Sequence, residues 1–175
     1  MTTTAILDQL KTEFTTIEAF LNSLSEQILV YKETDSKWSI SENIQHLILS
    51  TKPLAMLYGN PAIMLEKWGK CNRPARSYQE VVDLYLSDIG VARGTTKYYE
   101  PAILGQQTKQ ELIKNFQDTN EAFLNNAQSL SEEELDSHQI PHPLIGLMTC
   151  RAFLYFTHYH TTRHFETIKG IVKTC

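Results

Sequence analysis

The chain is expected to be all-α, a four-helix bundle forming a single domain over residues 1–175, and three observations predict this. Four stretches carry apolar residues at three- and four-residue steps, the period of a helix with one buried face. Seven glycines and six prolines among 175 residues fall well below the roughly 12% of average usage, which disfavours turn-dense all-β folds. Helix starts are written repeatedly as Ser or Thr followed three residues later by Glu, at Ser39–Glu42, Ser77–Glu80, Thr108–Glu111 and Ser131–Glu134. A chain of this length with 42% hydrophobic residues can bury a core of its own.

The elements follow in order. Ile6, Leu10, Phe14, Ile17, Leu21, Leu24 and Ile28 form one stripe, predicting a first helix from Thr4 to about Val30. After a turn at Asp35–Trp38, the Ser39 cap opens a second helix to about Gly59, with Pro53 inside it predicting a kink or an early end. Residues 60–105, with Pro61, Pro74, Pro101 and four of the seven glycines, read as a long crossover between helices two and three, with one short helix after Ser77. Leu112, Ile113, Phe116, Phe123 and Leu124 place a third long helix between Thr108 and Ser129, and Ser131–Glu134 caps a single turn. Ile140-Pro141-His142-Pro143 cannot be helical throughout, because proline lacks the backbone donor and biases its predecessor towards extended conformations. A last helix is expected from about Met148 to Lys173.

Sixteen Lys and Arg against twenty Asp and Glu give a net charge of −4, so no basic surplus exists for a nucleic-acid backbone. No apolar run approaches the roughly 18 residues of a membrane span, and Met1–Ala5 lacks a leader pattern, so the expected location is cytoplasmic. Cys71, Cys150 and Cys175 form no CxxC pair and are expected to be reduced.

Histidines carry the chemical signal. On the last helix Phe153, Thr157, His160, His164, Ile168 and Ile171 share a stripe, so His160 and His164 stand one turn apart on the inward face. That spacing lets two imidazoles converge on one metal ion, and it equally suits two buried histidines bonded to neighbours. His158 lies about 200° around the helix from His160, is expected to face solvent, and is excluded as a ligand. On the second helix Glu42, Asn43, His46 and Ser50 form a polar strip beside the apolar face, either edging solvent or lining a cavity in which His46 meets the other two.

The segments Trp38-Ser39-Ile40-Ser41-Glu42-Asn43-Ile44-Gln45-His46-Leu47, Pro141-His142-Pro143-Leu144-Ile145-Gly146-Leu147-Met148-Thr149 and His160-Thr161-Thr162-Arg163-His164 resemble, in order and separation, the W-S-x-x-E-x-x-x-H-L, HPxxGxxT and HxxRH blocks of the DinB-like family. That family consists of four-helix bundles with a three-histidine metal site, and the resemblance implies that His46, His160 and His164 are ligands. Three neutral histidines leave coordination positions open, and zinc, nickel, iron and manganese all accept imidazole. The resemblance implies a metal-dependent enzyme, in the first place a thiol S-transferase taking a small-molecule electrophile and a low-molecular-weight thiol such as bacillithiol, mycothiol or glutathione. A hydrolase using metal-bound hydroxide, and a non-catalytic metal-binding or dimerising bundle, are the alternatives; a homodimer is expected from the family only. Glu42 and Asn43, one turn before His46, are the candidates for orienting ligands or substrate, although Glu42 also serves as a cap. Tyr155 and Arg163 are candidates for the pocket rim, and Trp38 is expected to pack the start of helix two. Two positions depart from the pattern: Arg151 stands where the family often has an acid, and Thr167 where it has glutamine.

Overall fold

Four long helices enclose the core: α1 (Thr3–Ser23), α3 (Ile40–Tyr58), α6 (Lys109–Ser129) and α8 (Cys150–Val172), joined by the shorter α2 (Glu26–Val30), α4 (Pro61–Trp68), α5 (Tyr78–Ile89) and α7 (Glu132–Ser137). This computed structural model describes residues 1–89, 99–101 and 107–175. α1 and α3 each pack against both α6 and α8, closing a four-helix ring whose interior holds Ile6, Leu10, Ile17, Leu47, Phe116 and Phe123. Among the described residues, no helix is long and apolar enough to cross a membrane.

Cross-helix contacts fix the directions. Gln117 reaches Glu18 and Lys109 reaches the Asn22 carbonyl, so α6 runs against α1. Arg151 meets Thr3 while Phe165 meets Phe20, so α8 runs with α1. Asn43 faces His164 and Tyr58 reaches the Cys150 carbonyl, so α3 runs against α8 and in the same direction as α6. Two neighbouring helices with the same direction cannot be joined by a tight turn, which is the physical reason for a long crossover between them. At the far end of α3 the Asn126 amide donates to the Ala55 carbonyl at 2.8 Å. A Cβ at Gly59 would stand 2.8 Å from that amide, so glycine permits the approach.

All four expected caps form: Ser39, Thr108 and Ser131 make reciprocal bonds with Glu42, Glu111 and Glu134, and Ser77 pairs with Glu80. Four expectations are corrected. The first helix ends at Ser23, because Leu24 is extended and Ser25 caps a new helix, although the apolar stripe continues through the break. α3 passes through Pro53 without ending, its two halves held by buried Ile48, Leu54 and Tyr58. The crossover contains two helices, α4 and α5, and its glycines at 90, 94 and 105 lie outside the described residues. The proline-rich segment before α8 is a β-hairpin of Gln139–His142 (β1) with Gly146–Thr149 (β2), so the last helix starts at Cys150 and not near Met148. Gly146 turns it at φ 79°, a conformation other residues rarely adopt.

Arg151, one of the departures noted above, is buried and bonds Asp136 and Glu132 of α7 and Thr3 of α1, with Asp136 raising its pKa. Its work is to fasten the start of α8, and it is not among the residues that line the cavity beside the histidines.

Candidate functional site

α3 and α8 place His46, His160 and His164 together, with one ring nitrogen from each lying within 4.8 Å of the others. The Nε2 atoms of His46 and His160 are 3.1 Å apart, and the ring centroids of His164 stand 4.8 Å from His46 and 4.6 Å from His160. The antiparallel packing explains this convergence: the i, i+4 pair of α8 spans one turn, and His46 enters from the opposite wall.

Neighbouring groups determine which nitrogen of each ring carries hydrogen. His46 Nδ1 lies 2.9 Å from the Tyr99 carbonyl, which can only accept, so Nδ1 is protonated and Nε2 presents a lone pair. The Asn43 amide is oriented by its own bond, because Nδ2 donates to the Ser39 carbonyl at 2.8 Å. Its Oδ1 therefore accepts from His164 Nδ1 at 2.8 Å, and His164 also turns a bare Nε2 towards the cluster. Burial lowers all three pKa values: that of His46 against a small opposing effect of the Tyr99 carbonyl, that of His164 to about 3, and that of His160 well below its ordinary value, with the neighbouring histidines adding to the effect. These are neutral bases, the form that ligates a metal.

The residues present fit a divalent transition metal. Ligand nitrogens at ~2.0–2.1 Å from one ion stand roughly 3–3.4 Å apart; the His46–His160 separation of 3.1 Å falls in that interval, while the trio as a whole lies within 4.8 Å, so its widest pair closes further on binding. With His46 Nε2 bare, the same 3.1 Å accommodates either a hydrogen bond from a neutral His160 Nε2–H or a shared metal ion. Each of His46 and His164 donates its other ring hydrogen to an oxygen that fixes its orientation, as ligating histidines do.

The cluster opens on a cavity of about 820 Å³ walled by Trp38, Leu54, Leu57, Phe153, Phe156 and Tyr85, among others, a size suited to small molecules. Trp38 does more than pack a helix start: its ring stacks over His164 at 6.3 Å and lies 5.0 Å from His46. Arg163 also reaches the cavity, its guanidinium resting 5.9 Å from the Tyr85 ring centre and donating weakly to the Tyr85 hydroxyl. Thr167 lines the same space.

Other expected site residues are placed elsewhere. Glu42 does not line the cavity; its carboxylate is held by Lys32 at 2.7 Å and by the Ser39 amide at 2.8 Å. Burial would raise the Glu42 pKa, but Lys32 and Ser39 outweigh it and leave the group below its usual range. Tyr155 is not at the rim, since its hydroxyl donates to the Met1 carbonyl beside α1. His158 is remote from the cluster, as its position on the helix requires, yet it does not face open solvent: α5 covers it, and the Tyr78 hydroxyl pairs with its Nδ1 at 2.9 Å. A cavity residue that sequence reasoning missed as a functional candidate is His142 of β1, buried against Phe156 at 4.5 Å between ring centres. It stands in the proline-rich block, but only the hairpin brings it to the cavity.

Residues 9–168 match the model of the DinB superfamily. The chain is 29% identical over 154 residues to the uncharacterized protein YuaE of Bacillus subtilis (strain 168), covering 86% of this chain and 87% of that one. The chain belongs to the DinB superfamily.

Proposed function

We propose, for this member of the DinB superfamily, a metal-dependent enzyme that joins a low-molecular-weight thiol to a small electrophile. The observation that carries the reading is the convergence of three neutral imidazoles, two with tautomers set by oxygen acceptors, on the wall of a largely apolar cavity. His46, His160 and His164 would hold a divalent ion, which supplies there a lowered pKa for a thiol or water at its open positions.

The chain's own residues account for the remaining requirements. Asn43 keeps His164 turned inward, and the Tyr99 carbonyl does the same for His46. Trp38, Leu54, Phe153 and Phe156 exclude water from the reacting centre, where a desolvated sulfur is a stronger nucleophile. Arg163 has no carboxylate partner among the described residues and offers a place for a carboxylate of the thiol. In the reaction the thiol releases its proton to solvent, a carbon–sulfur bond forms, and the bond to the leaving group breaks with its electron pair. Glu42, with both carboxylate oxygens engaged, is left with a structural part.

The experiment is elemental analysis of protein purified without a histidine tag or chelator, beside His46→Ala, His160→Ala and His164→Ala. About one transition-metal ion per chain, lost in each variant with helical circular dichroism retained, is the expected result. The metal-loaded protein should then consume a halogenated aromatic or an epoxide only in the presence of thiol, with one thiol lost per electrophile. Equal consumption without thiol would replace transfer by hydrolysis, and absence of metal after reloading would remove the enzymatic reading.

A further inference from the structure

The cavity has two chemically different ends. Because α3 runs against α8, Asn43 sits beside His164 and His46 beside His160, while Leu54 and Leu57 lie towards the start of α8. Along α8 the cavity residues Phe153 and Phe156 precede the histidines, and Thr167 and Thr174 follow them. At 1.5 Å per residue the first end reaches roughly 10 Å from His160 and the second about 15 Å from His164. Glu33, Lys37 and Thr167 make the second end charged and polar, while Arg163 sits midway against Tyr85. Hydrocarbon walls the first, from α3, α8 and the β-hairpin.

His142, Tyr85 and Ser50 bring polar groups to that apolar end. His142 is 8% exposed, and its Nδ1 accepts the backbone N–H groups of Leu144 and Ile145, both at 3.2 Å. An imidazole nitrogen that accepts has no hydrogen, so the neutral ring carries its proton on Nε2. Burial pushes the His142 imidazole down to about 4, which keeps it neutral. No described residue accepts from Nε2. Ser50, which also lines the cavity, gives its hydrogen to the His46 carbonyl at 2.8 Å. The Phe156 ring stands between the imidazoles of His142 and His160, at 4.5 and 5.0 Å from them.

The Nε2 hydrogen opens to the cavity and is not sealed from solvent, and a ligand that brings it an acceptor is favoured over an analogue that does not. We propose that His142 is the specificity-determining donor of the apolar end. Its Nε2–H receives an oxygen of the electrophile, which is an apolar molecule carrying one carbonyl, nitro or epoxide oxygen beside the carbon attacked. Thiols of low molecular weight carry charged groups and suit the opposite end. The word electrophile rests on the thiol-transfer reading; the donor and its acceptor-bearing ligand do not.

Two variants separate the roles of the ring nitrogens. In His142→Asn the short amide oxygen can still accept from Leu144 and Ile145, as Asn does in turns, but no donor reaches the position of Nε2. In His142→Gln the longer amide restores a donor near that position and gives up the turn contact. The probes are acetophenone and α-methylstyrene, alike in shape, one with C=O where the other has C=CH₂. They are titrated calorimetrically, without thiol, into the protein as purified, with thermal melts confirming that each variant is folded.

His142→Asn is expected to weaken acetophenone about fivefold, the worth of a single neutral hydrogen bond, with α-methylstyrene changed less than twofold and His142→Gln close to the parent. Equal losses for both probes, no loss for either, or no binding of either at millimolar concentration would overturn the proposal. Thiol-dependent turnover is scored separately: its absence with the acetophenone result intact removes the transferase reading and leaves the donor subsite standing.

Discussion

Asn43→Leu is the sharpest perturbation of the candidate metal centre, because it leaves all three histidines in place and removes only what orients one of them. Asn43 is 2% exposed, with Nδ2 on the Ser39 carbonyl and Oδ1 on His164 Nδ1, both at 2.8 Å. Leucine is close in size, favours helix, and has no acceptor, so the buried His164 N–H loses its partner. Loss of such an orienting partner weakens metal binding about 10–100-fold, which is roughly 1.4–2.8 kcal/mol. An unpaired buried N–H also costs about 1–3 kcal/mol of fold stability, which the urea measurement reads separately. Asn43→Asp is the companion variant: it keeps an acceptor for His164 and gives up the donor to Ser39, so it should lower fold stability while metal affinity stays within threefold of the parent. Zinc affinity is read by competition with a chelating dye, and stability by urea unfolding of the metal-free protein. Zinc binding by Asn43→Leu within twofold of the parent, or Asn43→Asp as weak as Asn43→Leu, would refute the claim that this oxygen sets the His164 tautomer.

Two further outcomes follow. For His142 the folded pKa lies below the ordinary 6.5, at about 4, so the unfolded chain takes up the proton first; the stability is fully present above pH ~6.5 and is lost as pH falls towards 4. Between about pH 7.5 and 4.5 this amounts to about 2–3 kcal/mol, and urea unfolding of His142→Asn should lose that much less than the parent; identical losses would contradict a buried neutral ring. Arg151→Ala should lower unfolding free energy by about 2 kcal/mol through its lost bonds to Asp136, Glu132 and Thr3, with bound metal unchanged. Loss of metal in that variant would instead connect Arg151 to the site.

Helix starts were legible because capping is local: a hydroxyl and a carboxylate three residues apart satisfy the same backbone groups wherever the helix later packs, and Ser39, Thr108 and Ser131 do so. The apolar stripes were legible for the same reason, as was the pairing of His160 with His164, which depends only on 3.6 residues per turn. The stripe failed where Leu24 and Ser25 interrupt it, since an apolar period persists through a break that a cap creates.

The sequence by itself determined four amphipathic helices and the pairing of His160 with His164, consequences of neighbours within a few residues, while His46 joined that pair only through the family resemblance. Tertiary structure decided what each polar group faces. It turned Asn43 to His164 and gave Glu42 to Lys32, two adjacent residues with opposite fates a turn before His46. It placed α5 over His158, moved Tyr155 to the Met1 carbonyl, and folded the proline-rich block into a hairpin that delivers His142 to the cavity. The partners of Asn43, His158 and Tyr155 depend on helix direction and on contacts more than fifty residues apart, and periodicity along one helix carries no information about which helix stands opposite.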